Sequence, residues 1–538
     1  MKKERKNRFY LLLSLPALAV TVVIFVFPLL SVSLRIGGGT DVFLETLKSP
    51  YTWSLFLFTF IQALLSALIS TALALPFASF FSSHSFPGRR LTLALADTAF
   101  VLPSVIVVLG FVIWYGNNGI LNTLLSKISG GRIKLNILYS YKAVILAHVY
   151  LNFPLAFSLI TEGMTAAGER EETAAAFLGA SRCRIFFTVT FSRIKGTIYQ
   201  TMLLVFLFCF PSFLIVMTLG GSPKYYTVEA EIYRRAYMDG NLASSSSLAL
   251  ISFAVMALIM LLTGAGRREK KIQRTRRILK PAEGGKKALA FILELIVALF
   301  MLPPLFSIVY RAFFNRDGTF TLKAWENLFA GEDRSALNAL LSSICIAAAA
   351  SAAATAMATA LSVSAVRRKR KFLTTLSSLP LATGSVTLGL GFSYLSSLFY
   401  TSGKDGAVVL TILAHITVVL PFAIRSILPG AGKLSDRLLY SSLSLSPSYW
   451  RNYRKVEVPL LKGYRRKAFA FSFALSLGET NATMALGTGK VTTLPLLIYK
   501  KIQHYDYQGA SALCLMLLFV SLIIFAFSER GGERSVIS

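Results

Sequence analysis

The sequence predicts an all-α polytopic membrane protein of about twelve transmembrane helices arranged as two parallel six-helix repeats. Three observations predict it: apolar runs of spanning length from end to end, a one-sided distribution of the basic residues, and an internal duplication. Of the 538 residues, 54 % are hydrophobic and 15 % charged, a balance that belongs to chains dissolved in lipid. Crossing a hydrocarbon core about 30 Å thick takes about 20 helical residues. Twelve runs of that order occur, near residues 9–33, 53–81, 91–115, 141–163, 197–220, 244–264, 288–310, 337–365, 372–400, 407–428, 467–487 and 509–528.

The first run follows a basic start, "MKKERKNR". A secretory signal has an apolar stretch of about 7 to 15 residues and a small-residue cleavage site. The stretch from Phe9 to Leu34 is longer and reads as a retained helix. The formal net charge is +31, carried by 56 Lys and Arg. With the N-terminus in the cytoplasm, the segments on that side hold 38 of them and the opposite side 17, and Arg425 lies within a run. This asymmetry is the bias that orients helices during insertion. The basic surplus is therefore expected to set topology and to attract anionic lipid headgroups, with no role toward nucleic acid. Both termini are expected on the cytoplasmic side of a bacterial inner membrane. Cys183, Cys209, Cys345 and Cys514 occur singly, with no CxxC and no Cys/His cluster, so neither a disulfide framework nor a metal site is indicated.

The most basic connection, "RREKKIQRTRRILKPAEGGKK", carries ten positive charges and ends in Pro and Gly. It divides the chain into a first half (1–266), a linker (267–287) and a second half (288–538). The halves repeat each other. At an offset of 267 residues, Ala147 to Pro154 (AHVYLNFP) falls on Ala414 to Pro421 (AHITVVLP), Gly163 on Gly430, Leu219-Gly220 on Leu486-Gly487, and Asp239 on Asp506. With a slip of one residue, "TVEAEIY" from Thr227 meets "TLPLLIY" from Thr493. Upstream, "LPSVIVVLG" from Leu102 resembles "LPLATGSVTLGLG" from Leu379. His, Pro, Gly, Asp and Tyr keeping one offset mark a duplication. Six spans per copy is an even number, so the copies insert in parallel, and a solute path between such repeats is the natural consequence.

Between the fourth and fifth runs of the first half lies "EETAAAFLGASRCRIFFTVTFS" (Glu171 to Ser192), and its partner at the same offset is "DRLLYSSLSLSPSYWRNYRKVEVP" (Asp436 to Pro459). Here the chain resembles the membrane-spanning permeases of binding-protein-dependent ABC importers, whose loop signature is E-A-A-x-x-x-G followed by I-x-L-P. In the first copy Ala174, Ala175 and Gly179 fit, and Glu172 stands one place before the signature Glu, where Thr173 sits. Val189 replaces Ile, and Phe191-Ser192 replace Leu-Pro. In the second copy Tyr440, Ser441 and Ser442 replace Glu-Ala-Ala, Ser446 replaces Gly, and Val456, Val458 and Pro459 follow in register. A short helix of small side chains lets a partner surface approach its backbone closely. In the family this helix docks in a cleft of the ATP-hydrolysing subunit, so the resemblance implies docking by Glu172, Ala174, Ala175, Gly179, Ser441, Ser442, Ser446 and Pro459. Serine keeps the small volume but not the conformational freedom of glycine, which puts the docking angle of the second loop in question.

The resemblance runs from about residue 50 to 528 and is nearest to fused two-half permeases of the thiamine and ferric-iron importer type. It implies the type I importer permease fold, two cytoplasmic ATPase subunits and an external solute-binding protein. It does not select the solute. ATP hydrolysis by this chain is not expected, nor any cofactor. "GTGKVTT" at Gly487 fails the phosphate-loop pattern, because residue 484 is Met and Val491 follows Lys490.

Ionisable groups inside spans are costly and point to function by default. Asp97, His148, Glu294, His415 and Glu479 qualify. Glu294 lies near a helix end, from which its carboxylate can reach the interface. His148 and His415 occupy equivalent positions and are expected to hydrogen-bond within each half. Glu479, in "SLGETNATMALG", aligns with Ser212. Glu479, Ser212 and Asp97 are the candidate path residues. A secondary transporter with its own coupling-ion site is the alternative that parallel repeats alone would permit.

Overall fold

The computed structural model describes residues 2–36, 40–100, 102–221, 223–263, 277–329, 335–369, 379–398, 403–487, 489 and 491–529. Among them, strand structure amounts to one two-residue parallel pair, His84–Ser85 with Lys280–Pro281, and a bridge between Phe314 and Phe320. Nine helices among the described residues are long and apolar enough to cross a membrane: Glu4–Leu34, Pro50–Ser83, Ser104–Ser129, Tyr141–Ala167, Leu242–Thr263, Gly285–Phe313, Ser335–Arg367, Asp405–Ala431 and Tyr507–Ile524.

Four of the expected runs are interrupted, and their sequences say why. The run near 91–115 splits at Pro103 into Arg89–Phe100 and Ser104–Tyr115. The run near 197–220 ends its helix at Cys209, ahead of Pro211. Proline has no N–H to donate and its ring crowds the preceding turn. In the second half, Ser385–Leu398 begins after Pro380 and Gly384, with residues 370–378 outside the described part. The run near 467–487 is cut at Gly478-Glu479-Thr480 into Lys462–Leu477 and Asn481–Leu486. The third and fifth runs of both halves are thus discontinuous.

Two compact units form, each from separated segments. One comprises Met1–Thr52, Val228–Leu258 and Val309–Ser538, and the other Trp53–Thr227 and Ile259–Ile308. The first unit is built around the alanine-rich helix Ser335–Arg367. Its Ala347, Ala350, Ala354 and Ala358 are fully buried at helical spacing, and small side chains at that spacing let helices pack closely where lipid supplies no hydrophobic drive. Tyr10, Ala17, Val419, Leu420, Ile424 and Ala468 complete that core. The second unit is aromatic at its centre. Phe77 meets Phe153 edge-on at 5.4 Å between ring centroids, and Phe81 meets Phe157 at 4.9 Å.

The same crossing occurs once in each unit. In the first, the carbonyl of Pro28 lies where a Cβ on Gly391 would sit, 2.5 Å away, and the Ser31 hydroxyl donates to the Gly391 carbonyl at 2.8 Å. In the second, the Pro304 carbonyl lies 2.8 Å from the position of a Gly110 Cβ, and the Ser307 hydroxyl donates to the Gly110 carbonyl at 3.4 Å. Each crossing joins the first helix of one half to the broken third run of the other. Pro28 also leaves the Ile24 carbonyl without its helical partner, and the Thr417 hydroxyl donates to it at 3.3 Å.

Gly391→Ala and Gly110→Ala should each destabilise their unit by about 1–3 kcal/mol, the usual cost of overpacking a tight site. Gly403, with nothing within 4 Å of an added Cβ, serves as the control. Denaturation midpoints in mild detergent check this: both substitutions should lower the midpoint and Gly403→Ala should not.

Candidate functional site

Breaking a helix inside hydrocarbon exposes backbone groups that must be satisfied by protein, so the breaks collect polar side chains. In the first half the break after Cys209 is lined by the helices Pro50–Ser83 and Tyr141–Ala167. Gln62 Nε2 donates to the Cys209 carbonyl at 2.8 Å, and the Thr227 hydroxyl donates to the Ser212 carbonyl at 2.5 Å. His148 is buried, with Nε2 2.8 Å from the Ser212 hydroxyl and Nδ1 3.4 Å from that of Ser66. Asn152 donates to the His148 carbonyl at 2.8 Å.

The second half repeats this plan with different chemistry. His415 is likewise buried, and its ring spans the break, Nδ1 at 2.7 Å from the Ser476 hydroxyl and Nε2 at 3.0 Å from that of Thr483. Glu479, at the position equivalent to Ser212, sits between the two helical pieces. Its Oε1 accepts from the Ala482 amide at 3.0 Å, and the Ser385 hydroxyl hydrogen-bonds the same carboxylate. A carboxylate suits this place, since the first turn of a helix carries unpaired N–H groups and partial positive charge. A cavity of about 250 Å³ adjoins the far end of the Asn481–Leu486 helix, lined by Tyr233, Thr411, Thr483, Met484, Tyr499 and Gln503 among others. Asp97 lies on Arg89–Phe100 at a position whose side chain is outside the described part, and Glu294 meets Thr92, whose hydroxyl donates to it at 3.4 Å.

The paired loops also take shape. The first forms the helix Arg170–Phe177 and turns at Gly179 with φ +81°, where an added Cβ would meet nothing within 4 Å. Its space is open but its backbone is left-handed, which favours glycine. Ala174 is exposed and Ala175 half-buried. Glu172 faces inward, accepting from the Thr190 hydroxyl at 2.7 Å and pairing with Arg277 from the basic connection, while Glu171 pairs with Arg193. Burial lowers the pKa of the Arg277 guanidinium.

The second loop solves the turn differently. Ser435 caps the helix Asp436–Leu445 by accepting from the Leu438 amide at 3.2 Å. Ser446 then takes an extended conformation, φ −149° and ψ 109°, which any residue adopts, and Asn452 Nδ2 holds its carbonyl at 3.0 Å. A turn residue must be glycine on conformational grounds only where φ is positive, so the serine is compatible with this turn. The hydroxyls of Ser441 and Ser442 fold back onto Arg437 and Leu439 carbonyls at 3.0 and 2.9 Å, leaving a surface nearly as small as that of alanine. Pro459 lies in the short helix Val458–Leu460.

Two features escaped the sequence reading. Leu178 and Leu445, related by the same offset of 267, are 89 % and 90 % exposed beside their turns. The offset alone could have flagged them. The second is an ionic cluster under the second loop. Arg367 Nε donates to Glu457 at 2.7 Å and its Nη1 to Asp436 at 2.9 Å, Tyr10 donates to Glu457 at 3.0 Å, and Lys6 reaches Asp436 at 2.8 Å. The Lys6 ammonium, with Arg367 beside it, holds the Asp436 carboxyl below the usual range. Its members come from separated stretches of the chain, 69 to 447 residues apart across the bonds, and no local pattern announces them.

No family model matches the chain. The chain is similar over nearly its whole length to curated permeases. It is 27 % identical over 533 residues to the thiamine transport system permease protein ThiP of Escherichia coli strain K12, covering 96 % of both chains. It is 25 % identical over 512 residues to the ThiP protein of Haemophilus influenzae, covering 93 % of each. A third relative, the putative 2-aminoethylphosphonate transport system permease protein PhnV of Salmonella typhimurium, is 28 % identical over 221 residues, 40 % of this chain and 81 % of that protein. The chain is a fused permease of the ABC importer class. The permease is a transport subunit rather than an enzyme.

Arg367 and Glu457 are 2 % and 1 % exposed at their side chains, so removing one strands the other. Arg367→Met should cost about 3–5 kcal/mol, and the double replacement Arg367→Met with Glu457→Leu should recover most of it. Chemical denaturation of the three proteins compares these outcomes.

Proposed function

We propose that the permease carries thiamine through the cytoplasmic membrane of a bacterium, driven by ATP hydrolysis on two separate cytoplasmic ATPase subunits and supplied by an external solute-binding protein. The observation that carries this reading is similarity to ThiP proteins along 93–96 % of the chain. A secondary transporter is not favoured, since the relatives of matching length are permeases of transport systems.

The halves 1–266 and 288–538, joined by the linker 267–287, are the duplicated units of this reading. A relative whose matched region is 40 % of this chain and 81 % of its own length supports the division. The two loops are the ATPase docking elements. Ala174, Ala175, Ser441 and Ser442 form their small faces, Gly179 and Ser446 set their turns, and Pro459 closes the second. Glu172, tied to Thr190 and Arg277, anchors the first loop from below rather than offering itself to a partner. Leu178 and Leu445 add one apolar contact each, as exposed apolar groups on polar loops suit a partner surface. Membrane lipid is the remaining partner, drawn by the basic cytoplasmic segments.

Thiamine is a permanent cation with aromatic rings. Glu479 is the carboxylate for it along the path, a transient waypoint at the break of its span, with Ser212 and Asp97 as path residues of the first half. The interruption of equivalent spans in both halves supports this placement, because broken helices at repeat-related positions offer polar backbone and side chains at membrane depth.

The test is uptake of labelled thiamine by vesicles holding the permease, its ATPase and its binding protein. Glu479→Gln keeps the shape and removes the charge, and should slow uptake about tenfold, the worth of one lost charge-assisted contact, with assembly and basal ATPase activity intact. Unchanged uptake would remove Glu479 from the path. Gly179→Trp and Ser446→Trp should leave the membrane part folded and uncouple ATP hydrolysis from uptake. Wild-type behaviour of both would end the docking assignment.

Orientation is tested in a background freed of the four native cysteines. A cysteine at Lys134 should react with a membrane-impermeant thiol reagent added outside and one at Gly284 should not. The reverse pattern would place both termini outside.

A further inference from the structure

A second carboxylate converges on the helix end that Glu479 touches, and the reading above does not use it. Glu229, from the short helix Val228–Tyr233, is 2 % exposed. It accepts from the Thr387 amide at 3.1 Å through Oε2 and from the Thr387 hydroxyl at 2.8 Å through Oε1, and the Val386 amide bonds it as well. These donors are the first turn of Ser385–Leu398, the helical piece of the broken ninth run. The approach is so close that a Cβ on Gly384 would lie 1.9 Å from the Glu229 carboxyl carbon. Ser385, one residue before Val386, binds Glu479. Three consecutive residues at one helix N-terminus therefore hold two carboxylates.

The two are held differently. Glu229 is enclosed and takes all three of its donors from the start of that helix, whereas Glu479 is partly exposed and takes two amides of its own helix, Asn481 and Ala482, and from the start of Ser385–Leu398 only the Ser385 hydroxyl. Charge-assisted hydrogen bonds to a carboxylate are about twice as strong as neutral ones, and a helix start favours negative charge. Glu229 thus satisfies the open amides of the interrupted run, which leaves the Glu479 carboxylate tied to that helix end by the Ser385 hydroxyl alone. The arrangement belongs to one copy only, since the repeat places Pro495 opposite Glu229.

We propose that Glu229 is a positioning residue. It fixes the start of Ser385–Leu398 so that Glu479, on the same helix end, can turn from Ser385 to a cationic solute in transit and back. The proposal rests on the thiamine reading for its cargo and on the geometry for its mechanism. Glu229→Gln removes the charge at constant shape, and Gly384→Ala displaces the carboxylate from the other side of the same contact, so a folding defect in one leaves the other to decide.

Two measurements on the assembled transporter test it. Hydrogen exchange at residues 385–388 should accelerate about tenfold in each variant, as loss of charge assistance implies, with the Ser104–Tyr115 helix of the first half unchanged. The thiamine concentration for half-maximal uptake, delivered by the binding protein, should rise about tenfold while the maximal rate stays within about twofold, the signature of a lost ground-state contact. Unchanged exchange at 385–388 overturns the proposal, and so does faster exchange with unchanged half-saturation, which would make Glu229 a structural cap alone. Wild-type vesicles that take up no thiamine would overturn the cargo reading, and the exchange measurement, which needs no solute, would still decide the role of Glu229 at the helix end.

Discussion

Backbone polar groups inside hydrocarbon have no water to turn to, and this constraint governs where the permease can depart from continuous helix. Three of the interruptions carry their own donors and acceptors among the described residues. At the break after Cys209 the partners are Gln62, Thr227 and the His148–Ser212 pair. At the break after Leu477 they are Glu479, Ser385 and the His415 bridge between Ser476 and Thr483. At the start of Ser385–Leu398 a whole carboxylate is enclosed for the purpose. The sites where solute chemistry is possible are therefore the sites where backbone satisfaction demanded polar side chains. One physical requirement supplies both the structural repair and the polar groups gathered at these breaks.

The duplication is visible at the level of contacts as well as of letters. Pro28 with Ser31 and Pro304 with Ser307 cross Gly391 and Gly110 in the same manner. A glycine at such a crossing is needed because two backbones touch, and a serine three residues past the proline bonds the glycine's carbonyl. Where the halves diverge, the divergence is chemical and not architectural. The position equivalent to Ser212 holds Glu479, and the position equivalent to Glu229 holds Pro495. Both carboxylates of the ninth-run helix end thus fall in one unit, and the two copies of the repeat are no longer interchangeable in charge.

The paired loops show how a degenerate signature keeps its form. The first turns through a left-handed glycine and the second through an extended serine braced by Asn452. Each is anchored by ion pairs, Glu172 with Arg277 in one and the exposed Asp436 with the buried Arg367 and Lys6 in the other. Each loop takes its rigidity from ion pairs behind its helix.

The sequence by itself determined the class of this protein, because apolar runs of spanning length and a one-sided set of basic residues are written locally, and hydrocarbon thickness converts them to helices without further information. It also carries the repeated pattern at an offset of 267, which pairs His148 with His415, Ser212 with Glu479 and one loop with the other. Only the tertiary structure decided which apolar runs remain continuous, for composition gave twelve runs where nine helices among the described residues are long and apolar enough to span, and a proline or glycine breaks a run only where neighbours can satisfy the freed backbone. It alone decided that a serine could replace the turn glycine, because φ is not legible in a residue name. And it alone brought Lys6, Tyr10, Arg367, Asp436 and Glu457 into one cluster, and Glu229 and Glu479 onto one helix end, since contacts between residues hundreds of positions apart are set by how helices pack and leave no trace in the local pattern.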